Sequence, residues 1–180
     1  MDDIFLQLSK LTGGTEDEAQ TPANLFTSAG LSTDDEEMFK YDNLLTPTIK
    51  PQKSDTDKKV ILVIDDDFAT LDLMKIYLQR NYEYVAFDNP KDAIFWLNGH
   101  IPDLILMDCY LTLIKTKRVV EIIHSYEENK NVPIFYLSEP DELGAISSKL
   151  PEGVQGVISR PVGRGDLQGV LNYVFQDENS

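Results

Sequence analysis

The sequence of 180 residues has one cysteine, fewer basic than acidic residues, and no long apolar run. The single cysteine, Cys109, excludes an internal disulfide and is typical of a reducing compartment. The 16 Lys and Arg against 31 Asp and Glu give a net charge of -15, which argues against nucleic acid as a partner, because no surplus of positive charge exists to release counterions. No apolar run approaches the ~20 residues that span a bilayer. The N-terminus also lacks the pattern of a signal peptide. These absences predict a cytoplasmic protein that neither binds nucleic acid nor inserts into membranes.

Residues 1–58 differ in composition from the rest of the chain. They carry 12 acidic and 5 basic residues, many Thr, Ser and Pro, and few β-branched apolar residues. Such a segment is not expected to bury enough surface to offset the entropy lost on ordering. We therefore predict a mostly disordered, acidic N-terminal arm and linker over 1–58, followed by a folded domain over 59–176.

From residue 59 onward, short apolar segments alternate with segments of helical periodicity. Asn89 and Pro90 mark one helix start, as a capping side chain and a proline at the first helical position. Apolar strands that alternate with amphipathic helices indicate an α/β domain with a parallel sheet covered on both faces. The predicted strands are 60–64, 84–87, 104–107, 133–137 and 157–158.

Polar side chains follow four of the five predicted strands. They are Asp65, Asp66 and Asp67 after the first strand, Asp108 after the third, Ser138 after the fourth and Arg160 after the fifth. The carboxyl ends of parallel strands meet at one edge of a sheet, so these side chains should converge there. Adjacent carboxylates repel one another unless a cation lies among them, and ligands that are all oxygen suit Mg²⁺. Each residue alone could be a helix cap or a surface residue, but together they favour a site for Mg²⁺ and a phosphoryl group.

In this order, the residues resemble the receiver domain of two-component response regulators, over about residues 59–176. The matching motifs are Ile-Asp-Asp-Asp at 64–67, Leu-Ile-Leu-Met-Asp at 104–108, Tyr-Leu-Ser at 136–138 and Ile-Ser-Arg-Pro at 158–161. The resemblance implies a flavodoxin-like, doubly wound five-stranded parallel sheet of order 2-1-3-4-5. It also implies a phosphorelay protein served by a histidine kinase or phosphotransfer protein. We expect no output domain after the last helix, so the signal is expected to pass through protein contacts or through the acidic N-terminal arm.

The resemblance also implies a role for each site residue. Asp108 would be the phosphoacceptor, and Ser138 would contact the phosphoryl group. Asp66, Asp108 and the backbone carbonyl of Tyr110 would coordinate Mg²⁺, with Asp65 acting through water. The only catalysis implied is phosphorylation and dephosphorylation of the protein's own Asp108.

The sequence departs from the family pattern at several positions. Arg160 stands where the family has lysine, before a proline bond that is usually cis, and its planar fork is not equivalent to a compact ammonium. Glu139 replaces a small residue and could repel an incoming phosphoryl group. Val157 replaces the aromatic switch residue, and Thr112 and Thr116 replace a proline and a glycine of the loop after the phosphoacceptor.

Two other functions remain open from the sequence. The departures favour a degenerate receiver that binds a partner without being phosphorylated. The acids at 65–67 with Thr70 also resemble the nucleophile loop of haloacid-dehalogenase-type phosphatases. Against that third possibility, Ala69 stands where this motif has a hydroxyl residue or valine, and no later acidic pair follows a lysine in the expected order.

Overall fold

The computed structural model of the protein describes residues 57–175. The predicted disorder of the N-terminal arm falls almost wholly on residues 1–56 and so lies outside the described part of the chain. Among the described residues, no helix is both long and apolar enough to cross a membrane.

Five strands form one parallel sheet. They are β1 (Val60–Ile64), β2 (Glu83–Phe87), β3 (Leu104–Asp108), β4 (Ile134–Ser138) and β5 (Val154–Ser159). Their order is β2-β1-β3-β4-β5, with parallel pairing throughout. The structure therefore confirms the predicted doubly wound, flavodoxin-like sheet. Every residue of β1, β3 and β4 is buried, as expected for inner strands with helices on both faces, whereas the edge strands are partly exposed.

A helix follows each strand. The helices are α1 (Phe68–Leu78), α2 (Pro90–Leu97), α3 (Thr116–Ser125), α4 (Leu143–Ser147) and α5 (Arg164–Phe175). The predicted start of α2 is confirmed: the Asn89 side chain accepts the Asp92 N–H at 3.0 Å, and Pro90 is the first helical residue. Helix α4 is a single short turn with no buried residue.

Alternate residues of the inner strands pack against helices on opposite faces of the sheet. On one face, a core cluster joins the sheet to α1 and α5; it includes Ile61, Val63, Leu104, Leu106 and Leu137 of the strands, Met74 and Leu78 of α1, and Leu167 and Leu171 of α5. Helices α2 and α3 contribute other fully buried residues, among them Leu97, Val119 and Ile123. With both faces covered, the loops at the carboxyl edge are left to carry the polar residues.

Strand β5 is longer than the sequence predicts. The sequence predicts a strand over 157–158 only, whereas the strand spans Val154–Ser159. Gln155 and Gly156 are weak strand formers, and a register shift interrupts the pairing with β4 between Ile134 and Phe135. The Phe135 ring lies so close to Gly156 that an added Cβ would be 2.8 Å from its Cε1 atom. Pairing with β4 therefore decides the length of this strand, against its local propensity.

The turn before β5 requires glycine. Gly153 has a φ of +89°, and a Cβ there would lie 2.0 Å from Cε1 of His124. We expect Gly153→Ala to lower the free energy of unfolding by about 2–4 kcal/mol, because it adds backbone strain and overpacking. Urea denaturation measures the change.

Gly165→Ala is the matched control, because Gly165 lies in α5 with nothing within 4 Å of the added Cβ. This variant should keep or gain stability, by at most about 1 kcal/mol. Equal stability of Gly153→Ala and the wild-type protein would contradict the close contact with His124.

Candidate functional site

The three acids after β1 divide into two roles. Asp67 is the N-cap of α1: its carboxylate accepts the Ala69 N–H at 3.0 Å and the Thr70 hydroxyl at 2.9 Å. The hydrogen bond from Thr70 lowers the pKa of Asp67. The helix-cap alternative therefore applies to Asp67, while Asp65 and Asp66 belong to a cluster of acids.

That acid cluster contains Asp65, Asp66 and Asp108. One carboxylate oxygen from each lies within 4.8 Å of the other two. Asp65 directly follows β1, Asp108 ends β3, and these two strands are neighbours in the sheet. Three hard oxygen ligands so close together suit one divalent cation such as Mg²⁺, which prefers carboxylates and water.

Asp65 is fully buried and has a protein partner on each carboxylate oxygen. Oδ1 accepts the Asp67 N–H at 2.9 Å, and Oδ2 accepts a hydrogen bond from Nη2 of Arg160. Burial raises the pKa of Asp65 to about 7; the Asp67 N–H and the Arg160 charge oppose this rise, and the charge of Asp108 adds to it. In the absence of a metal ion, Asp65 therefore titrates near neutral pH.

Arg160 connects the acid cluster to the end of β4. Its side chain is only 12% exposed, which excludes the surface-residue alternative. Besides binding Asp65, Nη2 lies 3.4 Å from Oδ1 of Asp108, and Nε lies 4.0 Å from Oε1 of Glu139. Nε is buried and makes no hydrogen bond. The Arg160–Pro161 peptide bond is cis, as the family resemblance implies.

The two carboxylate oxygens of Asp108 have different surroundings. Oδ1 accepts the Tyr110 N–H at 3.2 Å and faces Nη2 of Arg160. Within residues 57–175, no hydrogen-bond donor contacts Oδ2. One oxygen is thus held by the protein, and the other is available to a ligand.

Ser138 and Tyr110 lie at the same edge of the sheet but are engaged differently. Ser138 is fully buried at the end of β4, and its hydroxyl donates to the Glu139 carbonyl at 3.2 Å. The Tyr110 side chain is exposed, and its backbone N–H is the group that contacts Asp108. The structure therefore brings the three acids close together and places Arg160 against two of them, Asp65 and Asp108. The Ser138 hydroxyl is bound to the backbone of the next residue.

Sequence reasoning missed how the loop after β3 is held. The Thr116 hydroxyl, which is buried, accepts the Leu111 N–H at 3.1 Å, and the side chains of Leu111 and Ile114 are buried beneath the loop. In the sequence, Thr116 was considered only as a departure from glycine. No side chain of the described residues caps the start of α3, so the preference of threonine for helix caps would not have identified this role.

The raised pKa of Asp65 predicts a pH-dependent stability in the absence of metal. Because the pKa is higher in the folded protein, Asp65 favours folding at low pH, and this contribution is lost as pH rises from about 4 to about 7. The free energy of unfolding of Asp65→Asn, relative to that of the wild-type protein, should therefore rise by about 2–4 kcal/mol between pH ~5 and pH ~8. Urea denaturation with a chelator present measures the difference.

Asp67→Asn is the control for this prediction. The pKa of Asp67 is lowered, so its carboxylate is ionised throughout the range. The stability difference between this variant and the wild-type protein should not change between the two pH values. If the stability difference between Asp65→Asn and the wild-type protein is also the same at both pH values, Asp65 does not titrate in this pH range.

Two solved structures illustrate the likeness of the fold. The receiver domain of a sensor histidine kinase from Pseudomonas aeruginosa, solved with magnesium coordinated in its active-site cleft, superposes with a TM-score of 0.58 at 23% identity, covering 64% of this chain and 96% of that one. The chemotaxis response regulator CheY4 of Vibrio cholerae gives a TM-score of 0.55 at 19% identity, over 66% of this chain and 99% of that one. At these identities the likeness shows the fold alone.

Curated relatives and a family model extend the likeness to sequence. The response regulator-like protein APRR7 of Arabidopsis thaliana is 23% identical over 123 residues, and PRR37 of Oryza sativa subsp. japonica is 21% identical over 119. These matches cover 66% and 64% of this chain but only 16% of each relative. The family model described as "Response regulator receiver domain" matches residues 61–172. The chain therefore belongs to the response regulator receiver domain family of two-component signalling.

Proposed function

We propose that the protein accepts a phosphoryl group on Asp108, with Mg²⁺, as a receiver in a two-component phosphorelay. One observation carries the proposal: three carboxylates lie within 4.8 Å of one another, with a buried arginine against two of them. Within this cluster, Oδ2 of Asp108 has no hydrogen-bond donor among residues 57–175. A carboxylate oxygen without a donor, close to a positive charge, suits nucleophilic attack on phosphorus.

The acid cluster provides the ligands that Mg²⁺ requires. Asp66, Asp108 and the backbone carbonyl of Tyr110 would hold the ion, with Asp65 acting through water. When bound, Mg²⁺ supplies positive charge that neutralises the oxygens of the transferring phosphoryl group. Support comes from the chemistry of the donors, which are all oxygen.

In the proposed transfer, Oδ2 of Asp108 attacks the phosphorus of a phosphohistidine on the donor protein. The new P–O bond forms as the P–N bond breaks, and the imidazole nitrogen leaves with the bonding electron pair and is later protonated. Arg160 stabilises the charge that spreads over the phosphoryl oxygens. Ser138 would donate to one of these oxygens after its hydroxyl turns away from the Glu139 carbonyl.

The donor would be a histidine kinase or a phosphotransfer protein, and the signal would leave through protein contacts in the cytoplasm. Members of the family are in general not enzymes, and we assign this chain no turnover beyond phosphorylation and dephosphorylation of Asp108. The receiver domain would span 59–176, with residues 1–58 as a separate arm. This division extends by a few residues the region 61–172 that the family model matches.

A second function is favoured by the residues that depart from the family pattern. The Arg160 guanidinium already binds Asp65, and Val157 is only half-buried where the family has an aromatic ring. A degenerate receiver would keep this arrangement permanently and bind its partner without phosphorylation. The phosphatase alternative has less support, because the family match is to receivers.

The proposed function predicts a mass change. Incubation with a small phosphodonor and Mg²⁺ should add one phosphoryl group to the wild-type protein, because Asp108 offers an oxygen free of donors beside a positive charge. Intact-mass spectrometry measures the gain. Asp108→Asn, and the wild-type protein in a chelator, should both stay at their starting mass.

Other outcomes separate the alternatives. Mg²⁺ binding without a mass gain would favour the degenerate receiver, and neither binding nor gain would contradict the acid cluster as a metal site. Hydrolysis of a generic phosphate ester that is lost in Asp65→Asn but kept in Asp108→Asn would instead support the phosphatase.

A further inference from the structure

Arg160 contacts three carboxylates through two of its nitrogens. Nη2 binds Asp65 and approaches Asp108, and the neighbouring Nε lies 4.0 Å from the Glu139 carboxylate. The Arg160 side chain is 12% exposed and that of Glu139 is 59% exposed. Nε is buried without a hydrogen bond, so the guanidinium has one unused donor on the side of Glu139.

The guanidinium and a metal ion would compete for the same carboxylates. Asp65 and Asp108, which Nη2 contacts, are two of the three acids in the cluster. Two positive charges a few ångströms apart repel each other strongly where water is largely excluded. Binding of a cation at these carboxylates therefore favours movement of Arg160 away from the two oxygens that Nη2 contacts.

Glu139 is the acceptor toward which Arg160 can withdraw. It directly follows Ser138 at the end of β4, and the ion pair with Nε is already in place at 4.0 Å. A small movement of the exposed Glu139 side chain would close this distance to a hydrogen bond and satisfy the buried donor. The planar fork of arginine has Nε and Nη2 at different positions, which the single ammonium of lysine does not offer.

We propose that Glu139 is a positioning residue for Arg160, which it draws from Asp65 and Asp108 when Mg²⁺ binds. The inference rests on the proposed function, because it assumes that the acid cluster binds Mg²⁺. It assigns a joint role to two departures from the family pattern, in that arginine at 160 requires a carboxylate at 139. Glu139 thus assists metal binding through Arg160, in addition to any repulsion between its charge and a phosphoryl group.

The test compares Mg²⁺ affinity, by isothermal titration calorimetry, in Glu139→Gln and in Glu142→Gln. Glu142 is the matched control, because the nearby charges of Glu139 and Asp108 help to raise its pKa, yet within the described residues it forms no ion pair with Arg160. Glu139→Gln should weaken Mg²⁺ binding about fivefold (~1 kcal/mol) relative to Glu142→Gln. Equal weakening by the two variants would show only a general loss of negative charge and would overturn the inference.

The same two substitutions, Glu139→Gln and Glu142→Gln, are then made in the Arg160→Lys variant, which completes the test as a double-mutant cycle. There the extra effect of Glu139→Gln should disappear, because lysine has no Nε to pair with Glu139. An extra effect that persists would overturn the inference, since Glu139 would then act without Arg160. This coupling is a readout that a merely structural role of Glu139 would not produce.

A second measurement does not need the Arg160 variant to fold. In ¹⁵N NMR spectra, the Arg160 Nε–H resonance should shift on Mg²⁺ addition in the wild-type protein and not in Glu139→Gln. The same shift in both proteins would overturn the inference while leaving the proposed function intact. Failure of the wild-type protein to bind Mg²⁺ at all would overturn the proposed function, and the inference with it.

Discussion

The site depends on the balance between three buried or partly buried carboxylates and one arginine. Like charges ~4 Å apart repel by about 4 kcal/mol at the effective dielectric constant near a protein surface, and the acids of the cluster lie within 4.8 Å of one another. In the structure, Arg160 and backbone N–H groups offset this repulsion. The balance also explains why burial can raise the pKa of Asp65 even though a guanidinium binds it.

The sheet imposes this balance on the side chains. Asp65 directly follows β1 and Asp108 ends β3, and the two strands pair in parallel with fully buried residues on both. Side chains on both faces of these strands pack against helices, so the packing of the core fixes the register of the strands and with it the spacing of the acids. Apolar packing thus holds polar groups together that would otherwise separate.

Most of the departures from the family pattern lie on or directly after β4 and β5 and at the start of α3. Arg160 and Glu139 form an ion pair, Val157 is half-buried, and Thr116 holds the loop after β3 with its hydroxyl. The acid cluster itself matches the family pattern. Under the proposed function, the acid cluster keeps the groups for metal binding and phosphoryl transfer, while the residues that would respond to the phosphoryl group differ from the family pattern.

The sequence by itself determined the fold and the placement of the polar residues at strand ends. Apolar runs such as 60–64 and 104–107 are long enough and β-branched enough to be read as buried strands, and the Asn89-Pro90 helix start is a local signal. The sheet order required the family resemblance, because periodicity does not say which strands are neighbours.

Only the tertiary structure decided the extent of β5, since Gly156 becomes part of that strand through its partner β4 and the adjacent Phe135 ring. Only the tertiary structure likewise separated the capping role of Asp67 from the cluster of Asp65 and Asp66 and paired Glu139 with Arg160. These outcomes depend on distances between residues far apart in the chain, which local sequence patterns do not contain.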